Sequence, residues 1–270
     1  MAMAKTSFGK KHIPLIIGNW KMNPQTEVEA QKLFLEIHKA IGTKNAIAQV
    51  LIAVPAIFIG SLTKIAKKSR IALAAQDVHY EPQGTHTGEI SLPMLKSFSI
   101  STVVIGHSER RASGETDEAV RKKTEAALQS GCTAVVCVGE KVRDTHGEYF
   151  NIVQGQLRSV CTNIKKSHLA RLVIAYEPIW AISTGDGKGK TATAEDALEM
   201  KLFIQKCIVD AFGRSAVPKV RILYGGSVNT TNAESLYTEG RADGFLVGGA
   251  SLKSMEFATV IKISDAYGKS

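Results

Sequence analysis

The chain of 270 residues is 44% hydrophobic and 22% charged, which supplies enough apolar surface to offset the entropy of folding and excludes a disordered protein. Its 34 Lys and Arg against 25 Asp and Glu leave a net charge of +9, which points to an anionic partner. The basic residues are spread along the chain and aromatics are only 6%, so that partner is not expected to be nucleic acid, whose recognition needs clustered charge interleaved with stacking rings.

Residues 1–12 are basic and lack the apolar core of a signal peptide. They are expected to form a flexible extension ahead of a barrel domain spanning residues 13–270. From there short β-branched runs recur, each followed by a helical pattern. Strands are expected at Ile13–Ile17, Ala48–Val54, Ile71–Ala75, Thr102–Ile105, Ala134–Val138, Leu172–Tyr176, Val220–Tyr224 and Gly244–Val247. They are continuously apolar, as strands covered on both faces read. Amphipathic helices are expected at Glu27–Ile41, where Val28, Leu35 and Ile37 stand among Glu, Gln and Lys, and at Glu118–Gln129 and Glu195–Phe212. Asn45–Thr63 carries no charge but is broken by Gln49, Pro55 and Gly60. It reads as a strand, a loop and a helix start rather than a membrane span. Cys132, Cys137, Cys161 and Cys207 make no CxxC, so free, mostly buried thiols in a reducing, cytoplasmic compartment are expected, with no metal site.

Strands alternating with helices imply an all-parallel sheet, because each crossover needs a helix. No Pro/Gly/Ser linker and no shift of composition divides the chain. Eight units of about 34 residues suit a closed (β/α)8 barrel. An open dinucleotide-binding sheet would carry GxGxxG after its first strand, whereas Gly18-Asn19-Trp20-Lys21 stands there. The expected fold class is therefore α/β, one closed barrel.

In such a barrel the chemistry gathers where strands end. Asn19 and Lys21 follow the first strand, Gly106-His107-Ser108-Glu109-Arg110-Arg111 the fourth, and Cys137-Val138-Gly139-Glu140 closes the fifth. Glu177-Pro178 follows the sixth, Gly225-Gly226-Ser227 the seventh and Gly248-Gly249 the eighth. Taken alone, Lys21 reads as a surface lysine; beside Asn19 it becomes a contact for a phosphate or an oxyanion. A helix start just beyond His107 would disfavour the imidazolium, leaving a neutral ring able to polarise a carbonyl. Glu177 sits on a firm strand end backed by Pro178, as a general base should; the other reading is a structural ion pair with a nearby lysine or arginine. The two glycine pairs read as backbone anion nests. Trp180–Thr191 is rich in Gly and Lys but lacks GxxxxGK[ST], and reads as a lid hinged after Pro178.

Gly18-Asn19-Trp20-Lys21-Met22-Asn23, Gly106–Arg111, Ala175–Ile182, Tyr224–Val228 and Gly244–Leu252 together resemble the triosephosphate isomerase family, in the family's order from about Ile13 to the C-terminus. The resemblance implies a TIM barrel that interconverts dihydroxyacetone phosphate and D-glyceraldehyde 3-phosphate, in glycolysis and gluconeogenesis, without cofactor or metal. It implies that Glu177 moves the carbon-bound proton, that neutral His107 polarises the carbonyl, and that Lys21 and Asn19 support the enediolate charge. Ser183, Ser227, Gly248 and Gly249 would bind the phosphate, with Glu109 and Cys137 supporting the site. It also implies a homodimer in which Thr87-Gly88-Glu89, in the long loop from Gln76 to Glu89, enters the partner near Asn19 and Glu109. Three features depart from the family pattern: Ser183 in place of a glycine, an apparent insertion at Asp186–Gly189, and Thr85-His86 in the interface loop. Two other readings are a phosphate-binding (β/α)8 lyase or synthase, which would not need Asn19, Lys21, His107 and Glu177 together, and a non-catalytic barrel, which would have lost them.

Overall fold

The structure, a computed structural model, describes residues 13–42, 46–182 and 192–268. The expected extension at 1–12 therefore lies outside the described residues. Eight parallel strands close into a barrel in chain order: β1 (Leu15–Asn19), β2 (Gln49–Val54), β3 (Ile71–Ala75), β4 (Thr102–Ile105), β5 (Thr133–Val138), β6 (Leu172–Tyr176), β7 (Arg221–Tyr224) and β8 (Gly244–Val247), with β8 pairing back onto β1. Five of the sixteen strand boundaries shift from expectation by a residue or two, and the others coincide with it. The largest change is at β1, which starts two residues late and runs on to Asn19, paired opposite Ala53.

Helices cover the outside: α1 (Glu27–Ile41), α2 (Ile59–Ala66), α3 (Leu92–Ser97), α4 (Ser108–Ala112), α5 (Asp117–Gln129), α6 (Glu148–Cys161), α7 (Ala194–Phe212), α8 (Ala233–Thr238) and α9 (Ser254–Tyr267). α1 begins at Glu27 because Thr26 and Glu29 form a reciprocal capping box, each side chain accepting from the other's backbone N–H. Its buried stripe is Ala30, Phe34, Ile37 and Ile41. Val28 and Leu35, expected on the apolar face, are 76% and 48% exposed. They lie off the i, i+4, i+7, i+11 stripe that Phe34 commands, so only Ile37 of the expected trio packs inward. The uncharged segment resolves into β2, Pro55, a 3-10 turn at Ala56–Phe58 and α2. Among the described residues no helix is long and apolar enough to cross a membrane. All four cysteines are free, with Cys161 half-buried and the others buried.

Strand side chains alternate, and both faces are apolar. Leu15, Ile17, Leu51, Ala53, Ala74, Val104, Val135, Cys137, Val173, Ala175, Leu223 and Leu246 fill the barrel interior. Ile16, Ile52, Val103, Val136 and Ile174 belong to the layer under the helices. This period of two positions the site. Asn19 continues the inward column Leu15, Ile17, and Glu177 continues Val173, Ala175. The ladder persists beyond β6, since Glu177 N donates to Val138 O at 2.8 Å. Polar side chains thus cap apolar columns at one end of the barrel.

Candidate active site

A cavity of about 430 Å3 opens at that end, lined by Asn19, Lys21, His107, Glu177, Ser227, Gly248 and Gly249 among others. All the expected site residues except Ser183 are described, and these seven meet in one place. Ser183 and the insertion Asp186–Gly189 lie outside the described residues.

Glu177 is 2% exposed. Among the described residues it pairs with no lysine or arginine; its partners there are a ring, a backbone amide and a thiol. Oε2 accepts from Ser108 N at 3.0 Å, and Oε1 lies 3.2 Å from His107 Nε2. The Cys137 thiol donates to the same carboxylate, and burial together with the Glu177 charge pushes that thiol well above its ordinary range. Cys137 therefore stays a thiol, a donor against Glu177.

His107 caps α4, and its Nδ1 accepts from Glu109 N at 3.2 Å. With a backbone N–H directed at Nδ1, the proton of a neutral ring stands on Nε2, the nitrogen facing Glu177. The expected helix start beyond His107 is thus present, and it acts through this hydrogen bond.

Lys21 adopts a left-handed backbone, φ +53°, which costs a non-glycine residue energy. The turn is held from two sides. Lys21 N donates to Asn19 Oδ1 at 3.0 Å, and Gln76 Nε2 donates to Lys21 O at 2.8 Å and Ala53 O at 3.0 Å. The conformation brings the Lys21 ammonium to Glu109 Oε1 at 2.7 Å.

The two glycine pairs differ. At Gly225 a Cβ would stand 2.9 Å from Glu177 Cγ, and at Gly226 one would stand 2.3 Å from the Tyr224 hydroxyl. A side chain at either position would crowd its neighbours, so glycine here makes room for packing, while both residues also line the cavity. At Gly249 a Cβ would meet nothing within 4 Å, and at Gly248 only Lys21 Cε at 3.6 Å. That backbone borders open cavity, which Ser227 also lines.

Sequence reasoning missed two supports. One is Gln76. The other is Glu140, fully buried, whose Oε1 accepts from Tyr176 Oη at 2.8 Å and Trp180 Nε1 at 2.7 Å, while its carbonyl accepts from Ile179 N at 3.0 Å. Burial pushes its carboxyl up. Glu140 ties the segment after Glu177 to the end of β5. Its place at a strand exit was a signal; its partners were not readable.

A second cavity of about 370 Å3 shares Asn19, Lys21 and His107 with the first and extends past Glu109, Gln76, Ile59 and Leu95. Met22 and Ile57 stand beside it, 86% and 83% exposed. Thr87, Gly88 and Glu89 are exposed on the loop after β3. That loop is stiffened by stacking of the His79 ring on Tyr80 and His86, at 4.4 and 4.1 Å between centroids.

A sequence profile of the triosephosphate isomerase family matches residues 14–264. The chain is 43% identical over 250 residues to the triosephosphate isomerase of Thermoanaerobacter pseudethanolicus, covering 92% of this chain and 98% of that one. It is 41% identical over 249 residues to that of Flavobacterium psychrophilum, covering 92% and 97%, and 42% identical over 250 residues to that of Clostridium acetobutylicum, covering 92% and 98%. The closed parallel barrel, the gathered strand-end residues and these matches agree, and the chain belongs to the triosephosphate isomerase family, a family of aldose–ketose isomerases.

Proposed function

We propose that the chain interconverts dihydroxyacetone phosphate and D-glyceraldehyde 3-phosphate through an enediolate, serving glycolysis and gluconeogenesis in the cytoplasm. The observation that carries this reading is the buried Glu177 carboxylate facing His107 Nε2 at 3.2 Å on the floor of a cavity that also holds Lys21. Glu177 takes the proton from the carbon beside the carbonyl and returns it to the neighbouring carbon. A carboxylate already out of water has no hydration shell to shed before doing so. His107, protonated on Nε2, donates to the substrate oxygens and stabilises the charge that develops there. Lys21 and Asn19 balance that charge from the β1 end.

The phosphate belongs at Ser227, Gly248 and Gly249, where backbone borders the open side of the cavity. Ser183 completes this set in our reading. Closing the site over the intermediate protects it from losing phosphate to water. Glu109 holds Lys21, and Cys137 holds Glu177. The second cavity suits Thr87-Gly88-Glu89 of another copy, which would shield Asn19, Lys21 and His107 from solvent in a homodimer. Sedimentation that gives a monomer at micromolar concentration would remove the dimer from this scheme.

The test is a coupled assay with glyceraldehyde 3-phosphate. The purified protein should isomerise it, and Glu177→Gln, which keeps the size but not the basicity, should lose about 10²–10⁴-fold in kcat. An inactive wild type refutes the function, and a fully active Glu177→Gln refutes the base.

A further inference from the structure

The phosphate end of the cavity has a cation that the scheme above leaves unused. Lys253 precedes α9 and lines the cavity together with Glu256, Ser227, Gly248 and Gly249. Among the described residues that line it, Lys21 and Lys253 are the lysines. They face different demands. Lys21 is held at 2.7 Å by Glu109, which lies outside this cavity on the side of the second one. Lys253 has 73% of its side chain exposed, and its Nζ sits 3.2 Å from Glu256 Oε2, whose side chain is 25% exposed. An exposed i, i+3 pair of this kind contributes little to stability, so it is free to exchange partners.

We propose that Lys253 is the capture residue for the substrate's phosphate: its ammonium leaves Glu256 for the incoming dianion, and Glu256 sets how strongly it does so. The proposal rests on the phosphate placement of the preceding section and adds a side chain to it. Lys21 also reaches that end, its Cε passing 3.6 Å from the Cβ position of Gly248, but its ammonium is held by Glu109; the remaining groups are backbone amides and a hydroxyl, which orient a phosphate but carry no net charge. A dianion entering there meets one mobile positive charge and one competing carboxylate, Glu256, three residues on in the first turn of α9. Exchange converts a partly exposed ion pair into a contact with a doubly charged partner, and the released Glu256 keeps the quarter of its side chain that faces solvent for hydration. Lys253 acts on capture alone, because its attraction is the same for bound substrate and transition state. The effect therefore falls on KM and not on kcat. It also weakens with salt, because the groups are exposed.

Breaking the pair from its two ends separates this role from a structural one. In 10 mM buffer, Lys253→Met should raise KM for glyceraldehyde 3-phosphate and the inhibition constant of inorganic phosphate by about 3–10-fold. Glu256→Gln should lower the same inhibition constant by about 2–3-fold, and Lys253→Arg should restore the wild-type value. All of these differences should shrink toward unity at 0.5 M NaCl, where the screening length is only a few ångströms. If the pair only braces α9, both single variants move in the same direction and salt leaves the difference in place; that result overturns the proposal. So does a Lys253→Met that binds inorganic phosphate as wild type does in low salt. Phosphate binding is also measured directly by calorimetry, so an inactive wild type would refute the isomerase reading while leaving the role of Lys253 under test.

Discussion

Gln76 Nε2 lies 2.8 Å from the carbonyl oxygen of Lys21, a residue 55 positions earlier in the chain. The same amide group reaches Ala53 O at 3.0 Å, so one side chain pins the end of β2 and the strained turn after β1 together. Lys21 has no steric reason to hold φ +53° on its own. Without the pin its backbone should relax toward negative φ and swing the ammonium away from Glu109 and the cavity. Gln76→Ala is expected to lower kcat/KM by about 10–100-fold, the scale of an ångström-sized misplacement, with a stability loss of only about 1–3 kcal/mol from the unpaired carbonyls. Steady-state kinetics and urea unfolding measure the two. In a Lys21→Ala background, adding Gln76→Ala should cost no further activity, since the two changes act through one group. Additive losses would show that Gln76 acts elsewhere.

The same small substitution should have opposite outcomes at two glycines. A methyl at Gly225 would stand 2.9 Å from Glu177 Cγ and 3.2 Å from Tyr176 O, and the backbone oxygen is not free to move. The flexible carboxylate yields instead, so Gly225→Ala should cut kcat about 10²-fold while the protein still folds. Gly155, exposed within α6, meets nothing within 4 Å, and Gly155→Ala should stabilise by about 1 kcal/mol with unchanged kinetics. Thermal unfolding and kcat read on both variants decide this. Equal effects at the two positions would mean that crowding at Glu177 is not the cause.

The site was readable from sequence to the extent that strand ends announce themselves. Continuous apolar runs marked the barrel strands, and a period of two then carried Asn19 and Glu177 inward from Ile17 and Ala175. What lay beyond that was long-range. Gln76 and Glu140 find their partners 55 and 36–40 residues away, distances that no local spacing encodes. Gly225-Gly226 and Gly248-Gly249 look alike as dipeptides, and only the neighbours, Glu177 and Tyr224 against open cavity, tell them apart. The face of α1 was misread because Val28 and Leu35 are apolar yet sit off the stripe of Ala30, Phe34, Ile37 and Ile41.

Asp265, on α9, closes the barrel end opposite the site and makes stability depend on acid. Its Oδ1 accepts from Ile47 N and Ala48 N at 2.8 Å each, and Oδ2 lies 2.8 Å from Arg70 Nη2. Burial alone would raise its carboxyl, but the Arg70 guanidinium and the two amides favour the anion and hold it below the usual carboxylate range. The folded chain therefore releases this proton more readily than the unfolded chain does. Folding gains from the difference at any pH above the ordinary aspartate value of about 4, and loses that gain as pH falls through the lower folded value. Asp265→Asn keeps one acceptor for the amides but turns an NH2 toward Arg70, and should cost about 1–3 kcal/mol at pH 7. The gap between wild type and variant should stay flat from pH 7 to about 5 and narrow below about 4, where the wild-type carboxyl is itself becoming neutral. Urea unfolding across that range measures the gap. A gap that stays constant to pH 3 would mean that Asp265 works through shape and hydrogen bonds alone, with its charge contributing nothing.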